Sequence, residues 1–177
     1  MSNITQQLSA EHQNILRVID HVLVECQRLG KGGELDVEFI EQTIDFIRNY
    51  ADKFHHAKEE DILFDAMLSN VDWLHCNPIP VMMNEHNAGR EYVRDLENAL
   101  RKNDLYGVIE NARGYCYLLQ NHIYKEDNIL YPMAEEALND EQKEMVLQKY
   151  SEVETTKFSR EAIAKYEHLF NESTVGE

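Results

Sequence analysis

Apolar residues recur at intervals of three and four through windows longer than twenty residues, and only a few short breaks interrupt them. That period marks amphipathic helices with one buried stripe each. The chain has seven glycines and three prolines, about half the average usage of roughly 12% for the pair, and so few turn formers make a sandwich or barrel of short strands hard to build. Its 177 residues fit one domain of roughly 100–200 residues. The sequence therefore reads as all-α.

The breaks set the boundaries. A first helix is predicted from about Thr5 to Leu29, stopped by Gly30, Gly32 and Gly33. A second starts near Asp36, an N-cap, carries Ile40, Ile44, Ile47, Ala51 and Phe54 on one side, and ends near Ser69. Residues 70–80 form the one long break, and Pro80 opens a third helix over Val81–Lys102. Asn103 and Asp104 make a short turn before a fourth helix over Leu105–Leu138, in which Pro132 is expected to produce a bend. Asn139 and Asp140 precede a last helix to about Phe170 and a polar tail. The expected architecture is an up-down-up-down four-helix bundle over residues 1–138, with an additional C-terminal helix over 139–177 packed on the same domain.

Charge and cysteine usage exclude several classes of function. The chain carries 33 acidic and 17 basic side chains, a net charge of −16, which repels nucleic acid and anionic membrane surfaces. No stretch approaches the ~20 apolar residues of a membrane span, and the N-terminus lacks the apolar core of a signal peptide. Cys26, Cys76 and Cys116 are scattered and odd in number, so neither a disulfide framework nor a cysteine zinc site is expected. A reducing, cytoplasmic location fits this usage.

The chemistry resides in an internal repeat. HHAKEEDILF from His55 recurs 67 positions later as HIYKEDNILY from His122, and Glu11-His12 is echoed by Glu85-His86. The order is EH, HxxxE, EH, HxxxE, one element per long helix. Residues four apart on an α-helix differ by about 40° in direction, so each HxxxE pair can hold a common ion. His12, His55, His86 and His122 each fall on an apolar stripe, flanked by Leu8 and Ile19, by Ala51 and Ile62, by Met82 and Val93, and by Leu118 and Ile129. Counted from the helix ends, the two histidines of each hairpin stand at nearly the same height. His56 and Glu60, rotated by about 100°, are assigned to the flank, so that Glu60→Ala is expected to keep a metal that Glu59→Ala loses. His21, His56, His75 and His168 are placed on surfaces and loops.

Four imidazoles and two carboxylates converging in a dry core are costly without a cation. A pair of metal ions, each taking two histidines with Glu59 and Glu126 bridging, removes that cost, and the ligand types suit iron, manganese or zinc. Glu11, Glu85 and Asp127 adjoin these residues and read as solvated acidic groups rather than partners of the ligands. Tyr115, two turns before His122, reads as a core aromatic whose hydroxyl can also reach bound oxygen. Met82, Met83 and Met133 read as apolar filler, and Trp73, His75 and Cys76 as a loop that covers one end of the bundle or faces a partner.

These motifs resemble the hemerythrin-like, or HHE cation-binding, family of non-haem di-iron bundles over about residues 5–138. The resemblance implies that His12, His55, His86 and His122 bind two iron ions, Fe2+ or Fe3+, joined by an oxo or hydroxo bridge, while Glu59 and Glu126 span them. It implies dioxygen or another small diatomic molecule as ligand, with a protein partner left unidentified. Repair-type relatives carry a preceding domain with paired cysteines, which this sequence lacks ahead of its first helix, and invertebrate oxygen carriers use five histidines, of which the evident pattern here supplies four. The histidine-rich balance differs from carboxylate-rich oxygen-activating sites. It favours reversible dioxygen binding for sensing, storage or delivery over an enzyme acting on nitric oxide, peroxide or oxygen, over iron-sulfur cluster repair, and over iron buffering or iron-dependent partner binding.

Overall fold

Side-chain caps and one glycine decide where the helices begin and end. In the computed structural model, which describes residues 3–70 and 76–170, Gly32 leads the chain out of α1 (Gln6–Gly30) with a φ of 92°, a backbone that a residue with a Cβ adopts only under strain. The Asp36 carboxylate accepts from the Phe39 N–H to open α2 (Val37–Phe46). Asp104 accepts from the Gly107 N–H at the start of α5 (Leu105–Lys125), and Asn139 and Gln142 form a capping box on α7 (Asp140–Thr156). Each such cap is worth about 1 kcal/mol. Pro80 sits in the first turn of α4 (Ile79–Arg101), where its missing N–H removes no helical bond.

The helices that carry the repeat change their winding along their length. α2 passes into two π-helical stretches, π1 (Ile47–His56) and π2 (Glu59–Leu63), and then α3 (Phe64–Leu68). α5 passes into π3 (Glu126–Leu130) and then α6 (Tyr131–Ala137). A π-helix closes i→i+5 bonds, so each residue turns the chain by less than the 100° of an α-helix. π2 and π3 start at the two glutamates of the repeat, which makes the sequence repeat a backbone repeat as well. π1 has no such counterpart, because the matching residues 114–123 lie within the regular turns of α5. Pro132 stands in the first turn of α6, directly after π3, where the hydrogen-bond pattern already changes and a residue without an N–H is accommodated.

All described elements are helical and pack as a bundle, and none is long and apolar enough to cross a membrane. α4 and α1 both lie along α5. Ser9 bonds to Asp127, Cys116 approaches the Ile19 carbonyl and Arg113 the Cys26 carbonyl. Asn14 bonds to Tyr50, while Arg48 and Arg90 reach across to Glu97 and Asp52. Two apolar clusters fill the interior. One includes Ile15, Ile40, Phe54, Leu96 and Leu119, the other Leu8, Leu63, Phe64, Met82 and Leu130, with Met83 and Met133 packed against it. His12, His55, Glu59, His86, His122 and Glu126 fall in sequence between members of the two clusters and form a buried polar layer.

Three expectations are corrected here. The C-terminal segment is two helices, α7 and α8 (Arg160–Glu167), rather than one. The Thr155 and Thr156 hydroxyls bond to the Ser151 and Glu152 carbonyls, Ser159 caps α8 through the Ala162 N–H, and the break lets Phe158 pack edge-on to Phe54 at 5.0 Å. Ile129 is 48% exposed instead of lying on the core stripe; its counterpart Ile62, at the same place in π2, is buried, and it is π2 that α7 packs on. His56, assigned to the flank, is buried. Trp73 and His75 lie outside the described residues, and Cys76 is exposed.

Lys58, between π1 and π2, ties α7 to the bundle. Its fully buried ammonium meets Glu11 of α1, lies 3.2 Å from Glu154 of α7, and stands 3.9 Å from the centre of the Phe54 ring. Removing one partner of a buried ion pair strands the other charge. Lys58→Met is expected to lower stability by about 3–5 kcal/mol, measured by urea unfolding. Burial pushes the Cys26 thiol up to about 11 and raises that of Cys116 further. A maleimide is expected to label the native protein at Cys76 alone, with Cys26 and Cys116 reacting only after unfolding, as read by mass spectrometry.

Candidate metal centre

Each histidine of the polar layer is aimed by a carboxylate from another helix. His55 Nδ1 lies 2.9 Å from Glu11, His122 Nδ1 2.9 Å from Glu85, His86 Nδ1 2.6 Å from Glu60 and His12 Nδ1 3.0 Å from Asp127. An ionised carboxylate only accepts, so each ring keeps a proton on Nδ1, and a neutral ring presents its lone pair at Nε2. Glu60, Glu85 and Asp127 are held below the usual carboxylate range: burial opposes this, but hydrogen bonds from the histidines, Arg90, Lys125 and Ser9 outweigh it. The carboxylates are themselves gripped. Lys58 holds Glu11, Lys125 holds Glu85, Arg90 holds Glu60 at 2.6 Å, and Ser9 holds Asp127 at 2.8 Å.

These contacts give the repeat its physical meaning. Glu11 and Glu85, Lys58 and Lys125, and Glu60 and Asp127 occupy matching places in the two halves and do matching work. Reading Glu11, Glu85 and Asp127 as solvated acidic groups, and Glu60 as a flank residue, is therefore corrected: all four orient an imidazole. The glutamate of each EH pair serves the histidine of the neighbouring HxxxE rather than its own neighbour, since consecutive helical residues point about 100° apart.

The Nε2 atoms and the two remaining carboxylates face one another in the dry layer. Glu126 Oε2 lies 3.2 Å from His12 Nε2, and Glu126 Oε1 lies 3.0 Å from His122 Nε2. Glu59 Oε2 lies 3.7 Å from His55 Nε2 and 3.5 Å from His86 Nε2. None of these approaches satisfies the atoms: His55 Nε2, Glu59 Oε2 and both Glu126 oxygens are buried without a hydrogen-bond partner. His86 Nε2 and His122 Nε2 stand 2.9 Å apart, a separation at which two lone pairs repel unless something positive lies beside them. This is the donor set of a cation site. Among the described residues, ligand atoms of His12, His55, Glu59 and Glu126 gather within 4.8 Å of one another, as do those of His56, Glu59, His86 and His122.

Electrostatics point the same way. Burial, with the charge of Glu126 adding to it, pushes the Glu59 carboxyl well above the usual range. Burial acts on Glu126 too, but His122, His12 and His86 pull it well below. Burial drives the His55 ring well below its usual pKa, with the His12 charge adding, whereas for His12 the bond to Asp127 and the nearby Glu126 carboxylate overcome burial and lift it to about 10. Two buried carboxylates cannot both stay charged without positive partners, and divalent ions supply more positive charge than shared protons do.

Two tyrosines differ in their part. Tyr131 donates to Glu59 Oε1 at 2.6 Å, lies 3.3 Å from His12 Nε2 and stacks on the His12 ring. It was legible only as the Phe64/Tyr131 difference between the repeats; Phe64 stacks on His86 in the other half. Tyr115 is buried, its hydroxyl has no partner, and it lines a cavity of about 160 Å³ beside His56 and His86.

The model of the hemerythrin HHE cation-binding domain matches residues 3–134. No curated protein and no solved structure matches the chain. The matched span takes in both HxxxE motifs, both EH pairs and Tyr131, and ends within α6. With most of its length and its whole polar layer inside that match, the chain belongs to the hemerythrin HHE cation-binding domain family.

Proposed function

We propose that the chain binds two iron ions and, through them, dioxygen or another small diatomic molecule, for sensing, storage or delivery. The observation that carries this reading is the gathering of four imidazoles and two carboxylates in which His55 Nε2, Glu59 Oε2 and both Glu126 oxygens are buried without hydrogen bonds. His12 and His55 would hold one ion, His86 and His122 the other, with Glu59 and Glu126 spanning both. Iron held by imidazole and carboxylate supplies reversible exchange of electrons with a bound diatomic ligand.

The protein residues perform four tasks. Glu11, Glu60, Glu85 and Asp127 keep the Nδ1 protons in place and the Nε2 lone pairs inward. Phe54, Leu63 and Phe64, all buried, keep water from the layer. Tyr131 holds its proton on Glu59 Oε1 and places a hydroxyl beside His12. The excess of imidazole over carboxylate favours binding over oxygen activation.

The proposal extends to the frame. The cross-helix pairs Ser9–Asp127, Ile19–Cys116 and Cys26–Arg113, and likewise Arg48–Glu97 and Arg90–Asp52, rise in number on one helix as they fall on the other, which supports an up-down-up-down course. Val146 and Tyr150 of α7 lie in the same apolar cluster as Leu8 and Met82, which supports one domain with a C-terminal addition. Free cysteines support a cytoplasmic setting, and the charge of −16 supports partners other than nucleic acid.

Glu59→Ala and Glu126→Ala are each expected to release both ions, since each carboxylate faces both histidine pairs, whereas Glu60→Ala weakens one ion by about 10–100-fold. Chelator competition with metal counting checks this. On anaerobic loading with ferrous iron, oxygen is expected to bring up a visible absorption band that disappears on purging with argon. Immediate oxidation that purging does not reverse would sink the dioxygen-binding reading.

A further inference from the structure

We infer that the cavity enclosed by π1, α4 and α5 is a binding site for a small neutral molecule, about the bulk of one six-membered ring and carrying a single hydrogen-bonding group. Its wall includes Asp52 and Glu85, on the outer side of the imidazoles, and neither Glu59 nor Glu126. The inference therefore stands apart from the di-metal reading.

A glycine makes the space. Gly89 stands within α4 and lines the cavity, and a Cβ built on it would meet Tyr115 Cε2 at 3.6 Å and Leu118 Cδ2 at 3.9 Å, both ordinary contact distances. Alanine would fit there and would strengthen the helix, because glycine in a helix interior loses the most backbone freedom on folding. The internal repeat supplies a control. Counted from Glu85-His86 as from Glu11-His12, the position matching Gly89 is Ile15, a buried member of the apolar core. The void beside Ile15 is about 10 Å³, whereas the cavity beside Gly89 is about 160 Å³, close to the roughly 150 Å³ that takes a benzene ring in an apolar protein interior. Helix packing gives no reason for the glycine, and a guest does.

The walls define the guest. Ile47, Val93 and Leu119 present buried hydrocarbon to it. The Tyr115 hydroxyl is buried without a partner among the described residues, and the approach of Gly89 to Cε2 puts the hydroxyl end of that ring at the cavity. Burial, with the charges of Cys116 and Asp52 adding to it, keeps the side chain protonated, so it can donate and accept. The charged groups of the wall are already engaged. Arg48 holds Glu97 at 2.9 Å, Arg90 holds Asp52 at 2.7 Å and Glu60 at 2.6 Å, and Lys125 holds Glu85. His56 Nδ1, which also lacks a hydrogen bond, faces Asp52 at 3.5 Å. An ion would lose its water here and meet no unengaged counter-charge. A neutral guest avoids that loss and pairs the Tyr115 hydroxyl.

Phenol is the probe, with benzoate as a charged analogue and benzene as the ring without a hydroxyl. Calorimetric titration of the full chain is expected to show saturable binding of phenol at one site, and of benzoate at least about tenfold more weakly. Tyr115→Phe is expected to weaken phenol about tenfold, the loss of one hydrogen bond, and to leave benzene unchanged. Gly89→Leu fills the cavity and is expected to abolish binding of both. Gly89→Ala, whose methyl group fits at contact distance, is expected to weaken both while the far-ultraviolet circular dichroism stays that of the wild type, so the test survives a leucine variant that does not fold. Absence of saturable phenol binding by the wild type means that the cavity holds water alone and overturns the inference. Phenol affinity unchanged by the glycine substitutions puts the binding elsewhere and overturns it too, as does affinity unchanged by Tyr115→Phe or benzoate binding as tight as that of phenol.

Discussion

The hydrogen bond from an imidazole Nδ1 to a carboxylate on a neighbouring helix is the contact on which the rest of the molecule depends. Four such bonds, from His12, His55, His86 and His122, fix ring orientation and tautomer together. They also bind the bundle across its helices at the level where apolar packing is absent. An unbraced histidine rotates and offers either nitrogen; a braced one presents a single lone pair in a known direction. Lys58, Lys125 and Arg90 then neutralise three of the four bracing carboxylates, Asp127 is held by the Ser9 hydroxyl, and the carboxylates at the centre itself are Glu59 and Glu126.

A polar layer of this density survives because it lies between two separate apolar clusters. Each cluster is sealed by its own aliphatic and aromatic side chains. The layer needs no solvent contact to satisfy its outer atoms, since the carboxylates face out toward the flanks and their cations. The inward atoms His55 Nε2, Glu59 Oε2 and both Glu126 oxygens stay unsatisfied. Leaving a buried polar atom unpaired costs about 1–3 kcal/mol, so several together favour any species that pairs them all at once.

Much of this was legible in the sequence. The caps at Asp36, Asp104 and Asn139, the glycine stop after α1 and the repeat of HxxxE placed the helices and brought His12, His55, Glu59, His86, His122 and Glu126 to one level. What escaped has a common cause. Helical-wheel reasoning assumes 100° per residue throughout, and π1, π2 and π3 depart from it where the chemistry is, which misplaced His56. No residue type signals a π turn. The bracing role of Glu11 and Glu85 was hidden for another reason: each stands beside one histidine in sequence and serves a different one in space. The break at Ser159 has no glycine or proline beside it to mark a helix end in the sequence.

π1 has one more consequence. A bundle built from two copies of one helical hairpin starts with interchangeable halves, and interchangeable halves offer an arriving molecule no reason to choose a side. Rewinding ten residues of one helix breaks that equivalence without redesigning the packing, because the ordinary turns resume at Phe64 and the chain beyond keeps its course. The molecule thereby acquires a front and a back from a local change of pitch, a route open to any duplicated helical scaffold.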